Sequence, residues 1–157
     1  METGLLHLHN LLRWIILILL LLSIVKAFTG WRGKKSFSGG DAKVWLFTMI
    51  ASHITLLLGI YQWTIGRLGI FKTGHASFAD VMKDHTTRFF QVEHPISMIL
   101  AIVFITLGRG MAKKDVTDEV KYRKAFFYFL IALLLILAVM PWPFRGEFIG
   151  RPLFPGM

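Results

Sequence analysis

A neutral imidazole inside an apolar helix must either be tied to a neighbouring segment or be placed there to hold something. This chain offers three such imidazoles. His53 lies near the middle of the run 44–60, VWLFTMIASHITLLLGI, with Ala51, Ser52 and Thr55 beside it. His94 sits in the triplet Glu93-His94-Pro95 of the run 89–107, on a face it shares with Phe90, Ser97, Met98 and Ala101. His9 opens the first apolar stretch in LLHLHNLLRW, four residues before Arg13 and so on one helical face with it. The chemistry open to these residues is coordination: two axial ligands to a haem iron, or a zinc or copper site built from His94, His53 and His9.

Depth and burial favour different ligand pairs. His9 and His94 lie at similar depth near one end of their helices, whereas His53 is several ångströms deeper. Side chains tilt toward their own helix N-terminus, which widens that gap. His9 with His94 is the better pair by depth, His53 with His94 the better pair by burial, and His94 belongs to both. Arg13 either neutralises a haem propionate or pairs with Glu93, the pairing favoured on depth. The bland alternative for each histidine is a hydrogen bond to an adjacent helix. For His7 that reading prevails, and His75 and His85 are expected in solvent. Gln62, Thr86, Thr87 and Gln91 are a weaker set that would suit a quinone head group.

The elements that must position these residues are four apolar helices. Runs 11–25, 44–60, 89–107 and 125–142, with their flanks, reach the roughly 20 residues that cross about 30 Å of hydrocarbon. The spans expected are about 5–28, 43–65, 87–109 and 122–142. Mean hydropathy is +0.60 and hydrophobic residues make up 55%, too apolar for an ordinary soluble domain of 157 residues. The fold expected is all-α, an integral membrane four-helix bundle in a single domain. Asp41 is the expected N-cap of the second span, and Ser77 with Asp80 the start of a short helix running into the third. Pro95 should bend the third span, its freed Gln91 carbonyl being met by a neighbour. The tail from Phe144, rich in proline and glycine, should be irregular and lie against the bundle.

Charge orients the bundle. The first and third connections hold eleven of the 18 basic residues, the second four and the tail two. The positive-inside bias puts the first and third connections in the cytoplasm and both termini on the periplasmic side of a bacterial inner membrane. The net charge of +9 is thus a topology signal, not a nucleic-acid footprint. The first run, followed directly by Lys26, reads as a retained span. Cysteine is absent, which excludes disulfides, thiolate metal sites, c-type haem attachment and iron–sulfur clusters. No dinucleotide or Walker motif, nucleophile turn or internal repeat is present.

The strings HLHNLLRW (7–14), MIASH (49–53), RFFQVEHPISM (88–98) and PWPFR (141–145) resemble a family of small four-span inner-membrane proteins of Bacteroidota-type bacteria that often carry the label cytochrome B. That resemblance covers nearly the whole chain and implies an integral membrane location and haem b. The expected function is a haem b-binding electron-transfer protein, or a cytochrome b-like subunit of a respiratory redox complex. Its expected partners are the lipid bilayer, other membrane subunits and quinone. The alternative is a cofactor-free accessory or assembly subunit. Either way the chain reads more as an electron carrier or accessory subunit than as a stand-alone enzyme, and the sequence leaves enzyme activity open.

Overall fold

The computed structural model describes residues 2–74, 77–146 and 148–154. Helix α1 is Glu2–Arg32, α2 Gly39–Ile65, α3 Phe78–Lys83 and α4 His85–Arg88. A π-helical turn, Phe89–Glu93, leads into α5, His94–Gly110, and α6 is Asp118–Val139. No strand occurs among the described residues. Four segments are long and apolar enough to cross a membrane: Thr3–Arg32, Gly39–Ile65, His85–Lys113 and Asp118–Val139. Helix α1 packs on α2 and α6, and α5 on the same two helices. Helices α1 and α5 therefore stand diagonally across the bundle.

The two ends of the bundle are built differently. At the end where α1 finishes and α2 begins, large aromatic side chains fill the interior. Trp45, Tyr122 and Phe129 are almost fully buried, with Trp45 edge-on to both others. Glycine lets the helices close around them. A Cβ at Gly30 would come within 2.5 Å of the Tyr122 ring, and one at Gly108 within 2.6 Å of the Phe129 ring. Polar groups tie the same end. The Asp41 carboxylate accepts from Lys26 Nζ at 2.8 Å on α1 and from Tyr122 Oη at 2.6 Å on α6. Further in, the Ser23 and Thr48 hydroxyls meet at 2.8 Å between α1 and α2. Gly108→Leu should therefore cost about 1–3 kcal/mol, because a buried ring must move to admit it. Thermal unfolding in detergent measures this, and an unchanged midpoint would contradict the packing described.

Helix α2 starts three residues earlier than the expected Asp41 cap. Ser38 is the N-cap: its Oγ accepts from the Asp41 amide at 3.2 Å, and the Asp41 carboxylate accepts from the Ser38 amide at 3.2 Å. Asp41 is thus the third residue of a capping box, which leaves its carboxylate able to take Lys26 and Tyr122 as well. The helix begun at Ser77 does not run on. Asp84 ends α3 and recaps α4, accepting from the Thr87 amide at 2.7 Å.

The expected bend at Pro95 is a π turn placed just before it. Proline has no N–H to give Gln91, and the Gln91 carbonyl instead accepts from Trp63 Nε1 of α2 at 2.9 Å. The His94 amide bonds the Phe89 carbonyl, five residues back. That wider turn stacks residue 88 over residue 93, so Glu93 pairs with Arg88 at 2.8 Å and not with Arg13. Arg13 turns to the tail, as described below. A π turn of this kind is a frequent mark of a site.

Candidate functional site

The opposite end of the bundle, where α1 begins and α6 finishes, is hollow. A cavity of about 390 Å³ lies among α1, α2 and α5, reaching from Ser52, Ile105 and Ile136 in mid-bundle to Gln62 and Arg67 at the mouth. That volume falls in the range of cofactor sites, about 300–1,000 Å³. The hollow follows from side-chain size. Where α2 presents Trp45 to the packed end, it presents Ser52, Thr55 and Gly59 here, and these fill little space. Apolar groups such as Leu56, Met98 and Ile102 form most of the wall.

Two histidines line the cavity from the diagonal pair of helices, His9 from α1 and His94 from α5. His94 Nδ1 lies 2.9 Å from the Val139 carbonyl at the end of α6. A carbonyl only accepts, so the proton is on Nδ1 and the Nε2 lone pair is free. Val139 can supply this acceptor because the last carbonyls of a helix have no partner inside it. An imidazole held through Nδ1 by a carbonyl is the usual orientation of a metal-bound histidine. His9 is less constrained. Its Nδ1 is buried with no hydrogen-bond partner, and the Leu5 carbonyl one turn back accepts from Gln62 Nε2 at 3.1 Å. Gly59 faces it: a Cβ there would stand 3.5 Å from His9 Cε1.

His53 is not part of this arrangement. It is on the exposed outside of α2, with Nδ1 2.8 Å from the Met49 carbonyl of its own helix. It borders a separate shallow groove with Ile99, Val103 and Thr106. The reason is rotational. Ser52, Thr55 and Gly59 form the inward face of α2, and a residue next to Ser52 is turned about 100° away. The burial argument that paired His53 with His94 therefore does not hold, whereas His9, Arg13 and His94 share one cavity. Among the described residues no three histidine, cysteine, aspartate or glutamate side chains come together for a metal ion, so a three-histidine zinc or copper site is not assembled. Of the polar set suggested for a quinone, Gln62 lines the cavity. The Gln91 amide is engaged with the Leu68 carbonyl at 3.1 Å and Thr73 Oγ1 at 2.8 Å. His85 is exposed, and His75 lies outside the described residues.

The cavity mouth is cationic. Arg13 Nη2 donates to the Leu153 carbonyl at 2.6 Å, while its Nε and Nη1 are buried without partners. Trp14 Nε1 donates to the same Leu153 carbonyl at 2.8 Å, and the Trp14 ring stacks on Phe154. These contacts lay the tail along α1 and bring Arg151 to the cavity, its guanidinium over the Phe90 ring at 4.8 Å. Arg67, from the connection after α2, completes the group. Burial, and then the nearby Arg67 charge, lower the Arg151 pKa from its ordinary value. Neither Arg67 nor Arg151 stood out in the sequence, because nothing in it signals that residues so far apart meet.

No family model, curated protein or solved structure matches this chain. The site must be read from its own chemistry. Because His53 lies outside the cavity, His53→Leu should leave any ligand uptake by the cavity within about twofold of the parent's, since exposed substitutions away from a site are usually worth about 0.5 kcal/mol or less. Absorbance of the purified variant checks this, and loss of the ligand would restore His53 to the set.

Proposed function

We propose that the chain is a multi-pass protein of the bacterial inner membrane that holds one haem b between His9 and His94 and serves as an electron carrier or cytochrome b-like subunit of a redox complex. One observation carries the reading. His94 is fixed by Val139 in the tautomer that leaves Nε2 free, and it faces the same cavity as a histidine whose Nδ1 has no partner. A haem needs only two protein ligands, so this pair is a sufficient donor set. Bound haem supplies a one-electron couple. The chain's own contribution is to hold two neutral imidazoles, to keep water out with apolar walls, and to offset negative charge with Arg13. The motif resemblance to small four-span proteins labelled cytochrome B supports the same assignment.

The topology supporting this reading comes from the basic first and third connections, assigned to the cytoplasm. The cavity mouth then opens near the periplasmic face. That end also exposes Phe71, Phe78, Phe144 and Phe148, each at least 69% accessible. Such a band fits the membrane interface and contact with another subunit. It is also the feature an accessory subunit without cofactor would use.

The test is a reduced-minus-oxidised spectrum of the full chain, purified after expression with haem supplied. A b-type α-band at one haem per chain is expected. A colourless protein that co-purifies with other subunits would replace the carrier reading with the accessory one.

A further inference from the structure

We infer that Arg13, Arg67 and Arg151 form a carboxylate-binding mouth on the cavity, made for an amphiphilic ligand whose apolar body lies inside. On the haem reading, on which this inference rests, the carboxylates are the two propionates. The three guanidinium groups come from α1, from the connection after α2 and from the tail, and all line one opening. No acidic residue lines that opening among the described residues. Two described carboxylates on the packed helices are committed elsewhere, Glu93 to Arg88 and Asp41 to Lys26.

Three cations gathered beside an apolar hollow repel one another, and the arrangement is favourable when an anion sits among them. Arg13 retains two buried, unpartnered nitrogens on its guanidinium. Arg151 spends Nη1 on the Phe148 and Gly150 carbonyls, at 3.3 and 3.1 Å, which fixes its plane over Phe90 and leaves its other nitrogens free of protein partners among the described residues. Arg67 makes no hydrogen bond among the described residues and is exposed. Planar forks of this kind match the two oxygens of a carboxylate. The tail has a defined part in this: Arg13 and Trp14 hold Leu153, and so set Arg151 two residues earlier at the mouth.

The experiment uses the full chain in phosphatidylcholine nanodiscs, titrated with iron protoporphyrin IX and with its dimethyl ester. The parent should bind the diacid about tenfold more tightly than the ester, as expected for charge-assisted hydrogen bonds. Arg67→Gln with Arg151→Gln should cut that preference by about threefold or more, Arg13 holding the remainder, while the ester's affinity and the haem spectrum stay unchanged. If the parent shows no preference, or the double variant keeps it in full, the carboxylate mouth is overturned while the two-histidine site stands. If the parent binds neither porphyrin, the haem reading fails, and palmitate against methyl palmitate becomes the same comparison. An acid preference cut to the same extent in the double variant would then uphold the mouth with a fatty acid as its ligand, and no preference would overturn it. Should the double variant lose its thermal transition, exposed Arg67→Gln alone is used, with a smaller loss of preference expected and an unchanged preference counting against the mouth.

Discussion

On the proposed assignment, His94→Ala should reduce haem uptake from one per chain to less than about a tenth of that under equal expression. The loss has two sources. The proposed haem would lose a nitrogen donor, and that donor is the imidazole whose orientation the Val139 carbonyl fixes beforehand. Outer partners such as the Val139 carbonyl matter for the same reason, typically by about 10–100-fold in metal affinity. His9→Ala should behave differently. His9 has no such anchor, since its Nδ1 is unpartnered. With His94 still held by Val139, that variant should retain five-coordinate, high-spin haem at lower affinity. Pigment per chain and the position of the absorption bands separate the two cases. Equal loss in both variants would contradict the asymmetry between the anchored and the unanchored histidine.

Gly59→Leu should stabilise the helix and empty the site. Gly59 lies in the interior of α2, where replacing glycine removes backbone freedom from the unfolded chain and gains about 0.5–1 kcal/mol. Its Cβ would make ordinary contact with His9 Cε1 at 3.5 Å, so the first carbon is accommodated. The rest of a leucine would extend into the hollow that Ser52, Thr55 and Gly59 leave open. Ligand uptake should fall at least tenfold while the thermal midpoint rises or holds. Gly59→Ala should keep most of the uptake. A leucine variant that binds as the parent does would show that the ligand lies elsewhere. A variant that loses both fold and ligand would show that Gly59 is needed for packing.

Much of the architecture can be read along the chain because length and hydropathy are one-dimensional properties. The four long helices, the Ser77 start of α3 and the need to satisfy the Gln91 carbonyl all belong to this class. What cannot be read is rotation. Helix α2 is apolar almost all round, so its periodicity does not mark an inward face. His53 looks buried in such a run. The better signal was the small-residue series Ser52, Thr55 and Gly59, whose spacing marks one face. The π turn was equally hidden. It depends on Pro95 removing a donor and on Trp63, 28 residues before the Gln91 carbonyl that accepts from it, supplying one. Once that turn forms, Arg88 stacks over Glu93, and Arg13 is released to the tail. Arg67 and Arg151 reach the cavity from the connection after α2 and from the folded tail, so they are visible only in three dimensions.

On the proposed assignment His9 and His94 hold one iron between them. The decisive measurement is the low-temperature EPR spectrum of the oxidised chain after haem loading, taken for the parent, His53→Leu and His9→Ala. A low-spin, two-imidazole signal is expected in the parent and in His53→Leu, converting to high spin in His9→Ala. A parent that takes up no haem, or a low-spin signal unchanged by His9→Ala, would contradict it.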